Sequence, residues 1–249
     1  LAAILARAVR EGRVPPPRRS LRFLLMPECY GTLAFAAKRR ERLARTVAGV
    51  NLDGVGAGRP VRVIGEPACN DAGLGRAFLR LVGALWGEGQ AVPAGFELCD
   101  NLLADPAIGV PMVWPHAPCA RRTWHTSLDT LAATDPQAIA RMAAVVGAFL
   151  LELDACDDIV RGELALPEPG AGPQHPDAMR VPVRHTIGPL SLDSVPVAEW
   201  PGFITDSPRW WNWTTRSFWL ADGRRTLGQI ARLAGEEPFE RINAWFRFL

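Results

Sequence analysis

Short apolar runs, each giving way to a loop and alternating with helical stretches, organise the first 155 residues of this chain. Leu21–Met26 (LRFLLM) is continuously apolar apart from one arginine, and Thr46–Leu52, Val61–Ile64, Phe96–Leu98 and Val110–Trp114 follow it. Runs of this length that do not alternate with polar residues predict interior strands. Helical patterns lie between them. Leu1, Ile4, Leu5, Ala8 and Val9 share one face ahead of Gly12, and Gly31–Arg45 turns Leu33, Phe35, Ala36 and Leu43 inward with a basic stretch outward. Asp71 is placed to cap a helix through Phe78, Leu79 and Val82 to Trp86. Asp135-Pro136, an N-cap followed by proline at the first helical position, opens a helix to about Leu153. Strands alternating with helices predict an α/β fold, a three-layer and mostly parallel sheet flanked by helices.

The pattern changes after Pro167–Pro182, a Pro/Gly-rich stretch that reads as a linker. Tryptophans gather between Trp200 and Trp245. Arg216–Ala221 reads as a strand, Asp222-Gly223 as a turn, Thr226 as the start of the helical pattern Leu227, Ile230, Ala231, Leu233 and Ala234, and Phe239–Leu249 as a second helix. That order is compatible with a small winged-helix-like module. The expected division is an α/β domain over 1–160, a linker over 161–182 and the module over 183–249.

With 48% apolar residues, 22% charged residues and a net charge of +2, the chain is an ordinary soluble globular protein. From Trp200 onward seven arginines face five acidic residues, too mild an excess for a dedicated nucleic-acid binder. The tryptophans there point to packing on the main domain or to a protein partner. No run of about 18 apolar residues is present, so no membrane span is expected. Five widely spaced cysteines without a CxxC pair make neither a disulfide framework nor a zinc ribbon, and predict reduced thiols in a cytoplasmic protein. The chain opens on Leu1 inside a helical pattern and closes on an apolar run, and so reads as a fragment.

Three strings carry the candidate chemistry: Pro27-Glu28-Cys29-Tyr30-Gly31, Asn51-Leu52-Asp53-Gly54-Val55-Gly56 and Trp124-His125-Thr126-Ser127-Leu128-Asp129. Each falls where a predicted strand ends, the edge at which open α/β sheets bind ligands. A Glu, an Asp and a His delivered to one sheet edge are the residue types of a metal-assisted hydrolase. Glu28 either deprotonates a metal-bound water or binds the metal; the alternative is a surface glutamate favoured by the dipole of the following helix. Asp53, with Gly54 and Gly56 freeing the backbone, is either a metal ligand or an Asx-turn residue closing its strand. His125 is either a ligand oriented by Asp129 or a structural histidine. His116, His175 and His185 are weaker candidates. A cysteine nucleophile is the rival chemistry, with Cys29 near a helix N-terminus and His125 as its base. Asn70-Asp71 with its two following glycines lacks phosphate-loop spacing and reads as a helix cap. No Walker loop, HExxH or GxSxG string is present.

Taken in order, the three strings resemble the zinc-dependent aminopeptidase superfamily with a co-catalytic two-metal site, including its bacterial branch that ends in a winged-helix domain. Glu28-Cys29-Tyr30-Gly31 is similar to that superfamily's Glu-Glu-x-Gly, Asn51-Leu52-Asp53 to its Asn-Leu-Asp, and His125 to Asp129 to its His-Thr-x-x-Asp. The resemblance implies Glu28 as general base, Asp53 and His125 as ligands to zinc, and a peptide or aminoacyl substrate. It covers about Leu1 to Cys156, and the Phe-Trp-Leu-Ala-Asp-Gly-Arg-Arg-Thr-Leu string at 218–227 resembles the appended winged helix. Two departures accompany it. Cys29 stands where the second glutamate would ligate a metal, and the superfamily's first histidine ligand and bridging aspartate have no counterpart here. The implied function is a zinc-dependent aminopeptidase-like hydrolase of peptide or amide bonds, N-terminally truncated and inactive as this fragment. The alternative is a non-catalytic binding protein that keeps the peptidase scaffold.

Overall fold

The computed structural model describes residues 1–56, 61–64, 73–87, 89–92, 99–117, 123, 125–156, 174–188, 190, 192, 195–207, 210–235 and 238–249. In chain order the first part comprises α1 (Ala2–Arg10), α2 (Tyr30–Lys38), α3 (Arg40–Ala44), β1 (Gly49–Val50), β2 (Val61–Ile64), α4 (Leu74–Leu85), β3 (Gly89–Val92), β4 (Met112–His116) and α5 (Pro136–Ala155). A short 3-10 turn at Asp100–Ala104 precedes β4. Helix α5 starts as its sequence predicts: the Asp135 carboxylate accepts from the Gln137 backbone N–H, with Pro136 at the first helical position. The single helix expected over Gly31–Arg45 is broken at Arg39 into α2 and α3. Asp71 and Phe96–Leu98 lie outside the described residues; the N-cap of α4 is Gly73 at φ 76°.

The four strands form one sheet in the order β1-β4-β2-β3. β1 runs parallel to β4 and β2 parallel to β3, but β2 and β4 are antiparallel, with Arg62 opposite His116 and Ile64 opposite Trp114. The sheet is therefore mixed. Helix α4 joins β2 to β3 as a crossover and makes that pair parallel. β4 instead enters between β1 and β2 and follows β1, a direction that no apolar run encodes.

β4 is buried on both sides. Val113 packs with Phe78, Val82, Met142, Val145, Val146 and Phe149 of α4 and α5, where the Phe78 and Phe149 rings meet edge to face at 5.1 Å. Its neighbour Met112 joins the opposite cluster, with Ala36, Leu43, Leu102, Leu103, Phe218 and Trp219. The period-two alternation of the strand thus hands successive side chains to different helices.

Leu21–Met26 is a correction to the sequence reading. The segment belongs to no strand, and Leu25 is 98% exposed. A strand exists only where a neighbour takes its backbone groups, and among the described residues β1 pairs with β4 alone. Apolar composition signals a preference for burial but supplies no partner.

The last part is helical: α6 (Gly202–Thr205), α7 (Trp210–Leu220), α8 (Leu227–Ala234) and α9 (Phe239–Phe248), preceded by a 3-10 turn at Pro176–Met179. Ile204, Trp213, Leu220, Leu227, Ile230, Ile242 and Trp245 form its core. Arg216–Ala221, expected as a strand, lies largely in α7. That helix buries Trp213 and Leu220 in one cluster and Phe218 and Trp219 in another, with Thr214, Thr215 and Ser217 buried as well, so its apolar residues show no helical period. No strand occurs among the described residues of 183–249, so a wing is not seen there. Helix α8 begins as predicted, with a reciprocal capping box between Thr226 and Gln229. Part of the expected linker is packed structure. Ala178 is buried in the helical core, and the Arg180 carbonyl accepts from the Leu227 N–H.

The two parts meet at a buried ion pair. The Arg184 guanidinium grips both carboxylate oxygens of Asp105 at 2.6 and 3.1 Å, donates to the Ala221 carbonyl and stacks over Phe218. No helix among the described residues is long and apolar enough to cross a membrane.

Candidate metal centre

The loop after β1 is pinned at four points. Asn51 N–H donates to the Val113 carbonyl, Trp114 Nε1 to the Asp53 carbonyl, Ala117 N–H to that of Gly54, and Asp135 N–H to that of Gly56. Gly54 takes φ 69°, and a Cβ there would sit 2.6 Å from His116 Nδ1, so only glycine fits behind Asp53. The backbone is held while the Asp53 side chain is left exposed.

Glu28 lies on the turn that leads into α2 and is exposed. Cys29, the N-cap of that helix, has φ 57°, an unusual conformation for a residue with a Cβ. Asp100 fixes this helix start, because its Oδ1 accepts from Cys29 N–H at 2.9 Å and from the Thr32 hydroxyl at 2.5 Å. Cys99, next to Asp100, is fully buried. Its Sγ accepts from Asn51 Nδ2 at 3.0 Å, and its S–H donates to Asp53 Oδ2 at 3.1 Å.

One ligand atom each from Glu28, Asp53 and Cys99 lies within 4.8 Å of the others. Three separate chain segments thus deliver two carboxylates and a thiol to one place. Among the described residues neither Glu28 nor Asp53 has a basic partner. Unpaired carboxylates beside a sulfur donor form a set that suits a divalent transition metal, and zinc accepts all three donor types.

Electrostatics argue against the rival chemistry. Burial, and then the charges of Glu28, Asp100 and Asp53, push the Cys29 thiol up to about 11. Burial first, and then these carboxylates, disfavour the thiolate that a nucleophile at Cys29 would need. Burial likewise raises the Cys99 thiol, assisted by its hydrogen bond to Asp53.

His125 lies on the turn between Thr123 and Thr130, exposed and at φ 55°, and is not among the three clustered residues. The structure therefore brings Glu28 and Asp53 together and leaves His125 outside that cluster. Sequence reasoning missed Cys99, Asn51 and Asp100. The available signal was the placement of Cys99-Asp100 directly after the apolar run Phe96–Leu98, the same run-to-loop position as the other strings. It also underrated His116, whose buried Nδ1 has no hydrogen-bond partner among the described residues and lies against Gly54.

The class defined by this frame is an α/β protein with a divalent-metal donor set on loops beside its sheet. Residues 2–150 match the family described as Peptidase family M28, and the chain belongs to that family. It is also similar in fold to a crystal structure of a candidate peptidase from Clostridium acetobutylicum, with a TM-score of 0.52 and 18% sequence identity over all of this chain. The chain spans 50% of that protein's length. No curated protein matches it.

Proposed function

We propose that the protein containing this chain is a zinc-dependent, aminopeptidase-like hydrolase of peptide or amide bonds, with Glu28 as general base and Asp53 and His125 as metal ligands. The observation that carries the reading is the convergence of Glu28 and Asp53 from separate loops, without basic partners, in a chain of family M28. Zinc, when bound, polarises the scissile carbonyl and acidifies water. Glu28, exposed on its turn, accepts the proton of the attacking water and passes it to the leaving amine. Asp53 is presented by a loop held at the carbonyls of Asp53, Gly54 and Gly56, and Cys99, itself held by Asn51, donates to its carboxylate. His125, on its exposed turn, is the further ligand in this reading.

Residues 1–160 form the peptidase-like domain in this reading. Residues 183–249 form a helical module whose α7, α8 and α9 supply the three-helix core of a winged-helix-like unit, with a protein partner as its ligand. Cytoplasmic residence fits thiols such as Cys29 and Cys156 that form no disulfide among the described residues. The test is Glu28→Gln in the full-length protein. Fold and bound zinc are retained, while turnover of an aminoacyl amide falls about 10²–10⁴-fold. A folded, zinc-loaded wild-type protein that hydrolyses no member of an aminoacyl and peptidyl panel instead favours the scaffold-only binding protein.

A further inference from the structure

We infer that Cys99 is an inner-sphere thiolate ligand of the metal, sharing the ion with Asp53; this rests on the metal reading above. Ligand atoms in a tetrahedral zinc site lie about 3.5 Å apart, given Zn–S of about 2.3 Å and Zn–O of about 2.0–2.2 Å. Cys99 Sγ and Asp53 Oδ2 are already 3.1 Å apart, so both atoms reach one ion with little movement. The Glu28 carboxylate lies within 4.8 Å of both atoms on an exposed side chain, close enough to act on a water held beside them.

The polar surroundings of the sulfur support the same assignment. A structural buried cysteine behaves as a small hydrophobe, and Cys99 does pack on Trp114. Its sulfur, however, also has polar partners, Asn51 and Asp53 among them, on the loop that carries Asp53. The Asn51 side chain, itself 5% exposed, spends an amide donor on a sulfur that is only a weak acceptor while protonated. A metal-bound thiolate is a far better acceptor, and an outer hydrogen bond of this kind orients a ligand. When the ion binds, the S–H proton leaves to solvent. The sulfur lone pair and the Asp53 oxygen that had accepted the S–H hydrogen bond then both turn to the metal.

The experiment is cobalt(II) titration of the protein followed by absorption, with zinc-edge X-ray absorption on the zinc-loaded protein. Wild type is expected to show a near-ultraviolet sulfur-to-cobalt charge-transfer band and a sulfur scatterer at about 2.3 Å from zinc. Cys29→Ser keeps the band and Cys99→Ser loses it. Should Cys99→Ser fail to fold, the complementary variant with Cys29, Cys69, Cys119 and Cys156 all replaced by serine leaves Cys99 as the sole thiol and must retain both signals. Metal bound in a shell of oxygen and nitrogen only, or a band that survives Cys99→Ser, overturns the assignment of Cys99 while leaving the metal reading intact. A protein that binds neither ion overturns both.

Discussion

Removing Arg184 should uncouple the helical module from the sheet. Asp105 is fully buried, and Arg184 supplies it with two charge-assisted hydrogen bonds, one of 2.6 Å. The same guanidinium ties down the Ala221 carbonyl and covers Phe218. Arg184→Met keeps most of the side-chain volume but strands the carboxylate. Breaking a buried pair in this way costs about 3–5 kcal/mol. Asp105 still accepts from the backbone N–H groups of Ala107 and Gly188, each at 2.8 Å, which places the cost near the lower end, about 3 kcal/mol. With a urea slope of about 2–3 kcal/mol per M, the unfolding midpoint should drop by about 1–1.5 M. Arg184→Lys, which keeps the charge but not the bidentate fork, should lose less. The double variant Asp105→Leu with Arg184→Met should recover most of the loss, because no buried charge is then left unpaired. An Arg184→Met unfolding free energy within about 0.5 kcal/mol of wild type would refute the reasoning.

Two smaller tests address the helical part. Thr226→Ala removes one half of the capping box at α8 and should cost about 1 kcal/mol in denaturant unfolding, with Thr226→Ser restoring most of it. Asp177 accepts from Arg247 and Asn243, and these hydrogen bonds, the first the larger, lower its carboxyl from the ordinary 3.8 to about 2. Because the folded value is depressed, its contribution is complete above about pH 4 and is lost as pH falls toward 2. Melting temperatures measured between pH 6 and pH 2 should therefore fall more steeply for wild type than for Asp177→Asn, and parallel curves would remove Asp177 from the account.

What the sequence disclosed and what it withheld divide by range. Asp135-Pro136 and Thr226 with Gln229 encode helix starts through contacts within one turn, and both starts are found where the residues put them. Val61–Ile64 was legible as a strand from its apolar residues. Apart from the break at Arg39 between α2 and α3, the main misreadings are non-local. Leu21–Met26 has strand composition but no ladder partner, and β4 takes its direction from β1, far away in sequence. The run at 216–221 is apolar because α7 touches two cores, which erased the helical period. Of the candidate cluster, Glu28 and Asp53 were legible because each lies where an apolar run gives way to a loop. Cys99 was not, since its meaning comes from Asn51 and Asp53, and only the fold brings these beside it.

The most direct test of the central claim is the zinc affinity of the full-length protein compared with its Asp53→Asn variant, by calorimetry with metal content measured in parallel. The account predicts that wild type binds zinc and that Asp53→Asn, still folded, binds at least about 100-fold more weakly, since a ligand matters no less than the outer groups whose loss costs about 10–100-fold. Equal zinc affinity in the two proteins would contradict it.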